Sequence, residues 1–95
     1  MTKLLKIENQ KILVTGGAGF IGGALITWLL ENTKSHIINV DKLGYASNLS
    51  RIDNTIKALN ISNYRYKFIL ADLIDANKVM DIVNKNKPDI IFHLA

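Results

Sequence analysis

The sequence predicts an alternating α/β domain built on a parallel sheet. Three observations carry that reading. Short apolar runs recur along the 95 residues, with spans of helical periodicity between them. Each connection is long enough for a crossover, which parallel neighbours require and a hairpin does not. Finally, five of the six glycines crowd into the stretch from Gly16 to Gly23, where the first strand would hand over to the first helix.

Lys11-Ile-Leu-Val14 is short, apolar and partly β-branched, and reads as a buried strand. Past the glycines, Phe20, Ile21, Ala24, Leu25, Trp28 and Leu29 recur at helical spacing and predict one broad apolar face. Ile37-Ile-Asn-Val40 is a second strand, ending at Asp41. A loop from Lys42 to Ser47 leads to a second helix, with Asn48 as N-cap, a stripe of Leu49, Ile52, Ile56 and Leu59, and an ion pair between Asp53 and Lys57. The third strand, Tyr66 to Ala71, alternates, with Tyr66, Phe68 and Leu70 on one side, as expected near a sheet edge. Asp75 caps a third helix whose apolar positions are Ala76, Val79, Met80 and Val83. Lys85 and Lys87 suit its C-terminal end and Pro88 stops it. Ile90-Ile-Phe-His-Leu94 is the fourth strand.

Composition narrows the function classes. With 48% hydrophobic and 21% charged residues and a single proline, the chain has an ordinary globular balance. The net charge is +4, but the twelve Lys and Arg are interspersed with acids, so no basic block marks a nucleic-acid surface. The absence of cysteine excludes disulfides and thiolate metal sites and is compatible with a cytoplasmic setting. His36 and His93 lack a carboxylate at ligand spacing, so no metal site is expected. The uncharged run from Ile12 to Leu30 approaches the length of a membrane span, and Gly19 and Gly23 form a GxxxG. Its glycines and threonines would weaken such a helix, and no span is predicted.

The glycine cluster, Gly16-Gly-Ala-Gly19-Phe-Ile-Gly22, has GxxGxxG spacing between a strand and a helix. Its first glycine permits a sharp turn, the second a close approach to a pyrophosphate, and the third tight helix-to-strand packing. The anion would rest on unpaired N–H groups at the positive end of the helix dipole. A glycine motif alone is weak, since turns and packing also use glycine. Asp41 strengthens it: an acid about twenty residues on, at the end of the second strand, can accept both ribose hydroxyls of an adenosine. The same carboxylate repels a 2′-phosphate, which favours NAD over NADP. The cation of Lys42 alone would suit the phosphorylated ribose. Together these features predict the N-terminal half of a Rossmann-like, doubly wound parallel sheet with about four strands and three helices.

Here the chain resembles the extended short-chain dehydrogenase/reductase family and, from Lys11 to Ala95, is similar to the N-terminal part of the dTDP-glucose 4,6-dehydratases. Thr15-Gly-Gly-Ala-Gly-Phe-Ile-Gly22 is general to that family, whereas Asp41-Lys-Leu-Gly-Tyr-Ala-Ser-Asn48 is similar to the dehydratases' Asp-Lys-Leu-Thr-Tyr-Ala-Gly-Asn. Gly44 and Ser47 are its departures, and Gly44 leaves a backbone contact where the family has a threonine hydroxyl. The resemblance implies cofactor contacts from Gly16, Gly19, Phe20, Ile21 and Gly22, chiefly through backbone N–H groups, and from Asp41, Lys42, Leu43 and Gly44. Tyr45 and Asn48 have weaker claims. It also implies that Asp72, otherwise a loop acid, meets the adenine amino group while Leu73 packs on the ring. Leu94 and Ala95, in a segment similar to the family's His-Leu-Ala-Ala, would pass under the nicotinamide-side ribose. His93 itself reads as a hydrogen-bonded core residue.

The activity implied is dehydration of dTDP-glucose to its 4-keto-6-deoxy product through transient hydride transfer to NAD. Oxidation in the family uses a Tyr-x-x-x-Lys pair. None occurs here, because Tyr45, Tyr64 and Tyr66 are followed four positions later by Leu49, Phe68 and Leu70. No catalytic residue is therefore assigned. The expectation is an NAD-binding fragment, inactive alone, whose nucleotide-sugar substrate belongs to a longer parent. An edge strand at 90–94 would invite self-association. A UDP-hexose 4-epimerase, a UDP-glucuronate decarboxylase and a non-catalytic nucleotide-binding module remain as alternatives.

Overall fold

Lys11–Thr15 (β1) and His36–Asp41 (β2) are buried at nearly every position because they form the middle of the sheet and have both faces covered. Tyr66–Leu70 (β3) and Ile90–His93 (β4) flank them. In this computed structural model, residues 8–44 and 47–95 are described. All neighbours are parallel, in the order β3-β2-β1-β4. The register pairs Val14 with both Asn39 and Phe92, and Asp41 with Leu70. Helices Phe20–Asn32 (α1), Ser50–Leu59 (α2) and Ala76–Asn86 (α3) make the crossovers.

Strand alternation divides the core in two. Ile12, Val14 and Ile37 pack with Ile26, Leu29 and Leu30 of α1 and Ile52 of α2 on one face. Leu13, Ile38 and Val40 pack with Ala71 and Ile82 of α3 on the other. The predicted α/β architecture, with four parallel strands, three helices and an edge position for β3, is as read from the sequence.

Several local expectations fail for identifiable reasons. In α1 the buried face is Gly22, Gly23, Ile26, Thr27, Leu29 and Leu30, while Phe20, Ile21 and Trp28 are exposed. The helix is apolar nearly all round, so side-chain periodicity could not choose a face; Gly22 did, by letting it lie against the glycine turn. In α3 only a narrow strip, Val79, Ile82 and Val83, meets the sheet, and Met80 is 61% exposed because no second helix stands on that face among the described residues. Leu70, ending an edge strand, is 58% exposed, and Leu59 also points out. Asp53 and Lys57 do not pair; the ion pair among the described residues is Asp81–Lys85, at 3.2 Å. The N-cap position of α2 falls on Leu49, although Asn48 Oδ1 still accepts the Ser50 amide at 2.8 Å. Asp75 caps α3 as expected, accepting the Lys78 amide at 3.1 Å. No described helix is long and apolar enough to cross a membrane, since the uncharged run is divided between β1, the turn and α1.

Candidate functional site

The turn after β1 opens with Gly16 at φ +76°, a backbone conformation that favours glycine. Its amide donates to Val40 O (2.9 Å), and the Gly19 amide returns to Gly16 O (3.1 Å), closing the turn. Gly22 then brings α1 in: a Cβ there would lie 2.2 Å from Gly16 O. Gly19 is the N-cap with no side chain to offer, and no acid occupies the first turn. A helix start leaves its first amides without intrahelical acceptors. Those of Phe20, Ile21 and Gly22 find no other among the described residues, so the positive end of α1 is uncompensated.

Asp41, at the end of β2, faces this turn. Its Oδ2 accepts the Ala18 amide at 3.0 Å and its Oδ1 the Leu43 amide at 2.7 Å. The latter bond holds Leu43 at φ +58°. A carboxylate offers about four lone-pair sites, so two stay available to a vicinal diol.

On the opposite side, Leu94 N–H donates to Thr15 O and Thr15 Oγ1, both at 3.0 Å. The same Oγ1 lies in hydrogen-bond contact with His93 Nδ1, 2.7 Å away. His93 is thus hydrogen-bonded as expected but is exposed at the strand end rather than in the core. The Leu94–Ala95 backbone presses on the turn, since a Cβ on Gly16 would sit 2.9 Å from Ala95 N.

These strand ends enclose a cleft of about 620 Å³, within the range of small-molecule sites. Of the residues named from sequence, it brings together Gly16, Gly19, Phe20, Asp41, Lys42, Asp72, Leu73, Leu94 and Ala95. Ile21 and Gly22 do not line it; Gly22 instead packs α1 against the turn. Leu43 and Gly44 do not line it, and an added Cβ on Gly44 would meet nothing within 4 Å. Tyr45 lies outside the described residues. Val40, Ser47, Ala71, Ile74 and His93 line the cleft too. Apart from Ser47, in the β2–α2 connection, these sit at or just past strand carboxyl ends, the signal that would have found them. Ile74 is 86% exposed, held by its amide's 3.0 Å bond to Asp72 Oδ1. Chemically, the arrangement suits a ligand combining a diphosphate, a cis-diol and a flat apolar ring.

Comparison with known proteins gives the family. The sequence model for GDP-mannose 4,6 dehydratase matches residues 13–95. The chain belongs to that family. Among its relatives, the dTDP-glucose 4,6-dehydratase of Escherichia coli is 47% identical over 86 residues, 90% of this chain and 22% of that protein. The chain therefore spans under a quarter of that relative's length. The Bacillus anthracis dTDP-glucose 4,6-dehydratase, solved in complex with NAD, superposes with a TM-score of 0.74 at 30% identity, covering 90% of this chain and 26% of that one. The UDP-glucose 4-epimerase of Bifidobacterium longum, in complex with NAD+ and UDP, has the same TM-score at 27% identity, covering 90% and 24%. The family resemblance read from the motifs is thereby borne out in this member of the dehydratase family.

Proposed function

We propose that this chain binds NAD, as the adenosine- and pyrophosphate-recognising portion of a dTDP-glucose 4,6-dehydratase. The observation that carries the reading is the convergence on one cleft of the Asp41 carboxylate and the acceptor-free amides at the start of α1. Phe20, Ile21 and Gly22 would hold the pyrophosphate and Asp41 the adenosine ribose. Asp72 and Leu73 would meet the adenine, while the backbone of Leu94 and Ala95 would lie under the second ribose. Bound NAD supplies a hydride acceptor. No Tyr-x-x-x-Lys pair stands in this sequence, so the chain's own part is binding and orientation, not turnover of a nucleotide sugar. The Asp41-to-Asn48 segment favours the dehydratases over the epimerases, whose fold similarity is equally strong. A cytoplasmic setting accords with a soluble nucleotide-sugar substrate.

Titration calorimetry with NAD and with NADP tests the proposal. Saturable NAD binding with weaker NADP binding is expected; no binding of either would refute it, and tighter NADP binding would reverse the role given to Asp41. Self-association belongs to the same reading. Among the described residues the outer edge of β4 is unpaired, and Ile91 is 52% exposed, so a second copy can add to the sheet. Sedimentation should then show concentration-dependent mass, and a monodisperse monomer would end that part.

A further inference from the structure

Beneath the glycine turn lies a polar group that the site does not otherwise use. Asn39 of β2 is fully buried on the α1/α2 face of the sheet. Its Nδ2 donates to Tyr66 Oη at 3.1 Å, but its Oδ1 has no hydrogen-bond partner among the described residues. An unpaired buried acceptor is destabilising, and a core concerned only with stability would place an aliphatic side chain there. What the amide touches is the turn: a Cβ built on Gly17 would lie 2.1 Å from Asn39 Oδ1 and 2.4 Å from its Cγ. The amide therefore packs directly against the Gly17 α-carbon.

We infer that Asn39 is a positioning residue for the anion cradle: its planar amide, oriented by the Tyr66 hydroxyl, seats Gly17 at the height that aims the Phe20, Ile21 and Gly22 amides into the cleft. The inference rests on the NAD reading above. A trigonal amide is thinner than a branched aliphatic of similar volume, so the turn can come closer to the sheet over Asn than over Leu. Its oxygen also presents negative charge to the α-hydrogens of Gly17, a weak attraction that holds the turn down. Displacement of Gly17 would propagate directly, because the next residue, Ala18, donates to Asp41 Oδ2 and accepts the Asn48 amide at 2.8 Å. The contacts thus run from Tyr66 through Asn39, Gly17 and Ala18 to the carboxylate at the cleft.

A double-mutant cycle read by NAD calorimetry on the full chain tests this. Gly17→Ala and Asn39→Ala should each weaken NAD binding about tenfold or more. Asn39→Ala also removes two of the three atoms facing the new methyl of Gly17→Ala, leaving Ile26 Cδ1, the end of a flexible side chain, at 2.5 Å. The double variant should therefore bind within about threefold of Asn39→Ala alone. Losses that multiply, or an Asn39→Ala chain with unaltered affinity, would overturn the inference. Tyr66→Phe leaves the cleft intact and decides the matter if Asn39→Ala does not fold. It should weaken NAD about threefold, whereas Ile82→Val, in the opposite core, should lower Tm without changing affinity. Equal affinities in those two variants would refute a positioning role. Unmodified chain that fails to bind NAD would overturn the proposed function as well; normal binding with unaffected variants would overturn this inference alone.

Discussion

The Asp41 carboxylate holds the Ala18 amide at 3.0 Å across 23 positions of sequence, tying the end of β2 to the middle of the glycine turn. Asn48 closes the other side of Ala18, its amide donating to the Ala18 carbonyl. The acid that would read the ribose is therefore also a strut of the glycine turn. Sequence spacing presents the glycines and the acid as two motifs, but the folded chain makes them one unit in which neither can move alone.

Asp41→Asn should damage both roles. An amide has one acceptor oxygen, and the backbone amides of Ala18 and Leu43 each need one, so one of them would face an NH₂ group instead. Loss of a charge-assisted bond of about 1.5–3 kcal/mol predicts a fall in NAD affinity of roughly tenfold to hundredfold. NADP affinity should fall less, because the repulsion of its 2′-phosphate is relieved. Calorimetry with both nucleotides checks this, and an unchanged NAD/NADP ratio would remove Asp41 from the ribose site.

Adjacent glycines in α1 should respond in opposite directions to the same substitution. At Gly22 an added Cβ would lie 2.2 Å from Gly16 O and 2.8 Å from Gly17 Cα, both backbone atoms that cannot rotate away. Gly22→Ala should therefore cost about 2–3 kcal/mol, at the upper end of overpacking penalties. At Gly23 the nearest atom, Gly17 O, is 3.6 Å away, an ordinary contact. Gly23→Ala should then gain about 0.5–1 kcal/mol from helix propensity. Urea denaturation midpoints separate the two, and a shared sign would contradict the packing described.

How much of this was legible in the sequence depended on whether the signal was local. The Gly16–Gly22 spacing, Asp41 at a strand end and the Asp75 cap are written within a few residues of where they act, and each was readable. The inward face of α1 was not, because Phe20, Ile21 and Trp28 are as apolar as Ile26 and Leu29 while the deciding residue, Gly22, carries no hydropathy. Met80 and Leu70 misled for a related reason: periodicity tells which residues share a face, not whether another element covers it. The walls contributed by Val40, Ala71 and Ile74 follow from their places at or just past strand ends, whereas the seat under Gly17 arises where the turn folds back over β2 and meets a residue distant in sequence. Asn39 carried an overlooked signal, a polar residue within an otherwise apolar central strand.

The C-terminal end of α3 holds a correctable strain. Lys87 has φ +46° and ψ +61°, with its amide bonded to Val83 O at 2.8 Å. A left-handed conformation costs a side chain with a Cβ about 1 kcal/mol or more, and glycine avoids that at a smaller entropic loss. Lys87→Gly should raise stability by about 0.5 kcal/mol. Asn60, which caps α2 at φ +53°, is already a tolerant residue type, so Asn60→Gly should change less. A urea midpoint that rises more for Asn60→Gly than for Lys87→Gly would reverse this ranking.

Tyr66 gives stability an alkaline limit. Burial raises its pKa above the ordinary 10.0, the hydrogen bond from Asn39 lowers it in part, and the charge of Asp53 raises it again. The folded chain thus keeps the phenol proton to higher pH than the unfolded chain does. The resulting stability is fully present below the unfolded value and is lost as pH rises through the folded one. Tyr66→Phe has no such proton, but leaves Asn39 Nδ2 unpaired, so it should be the less stable form at neutral pH, by about 1 kcal/mol. That gap should narrow once pH passes 10.0, because only the unmodified chain must then ionise or strain a buried phenol. Urea midpoints of the two, measured from neutral to strongly alkaline pH, would refute the account if they stayed parallel, since the phenol of Tyr66 would then titrate alike in the folded and unfolded states.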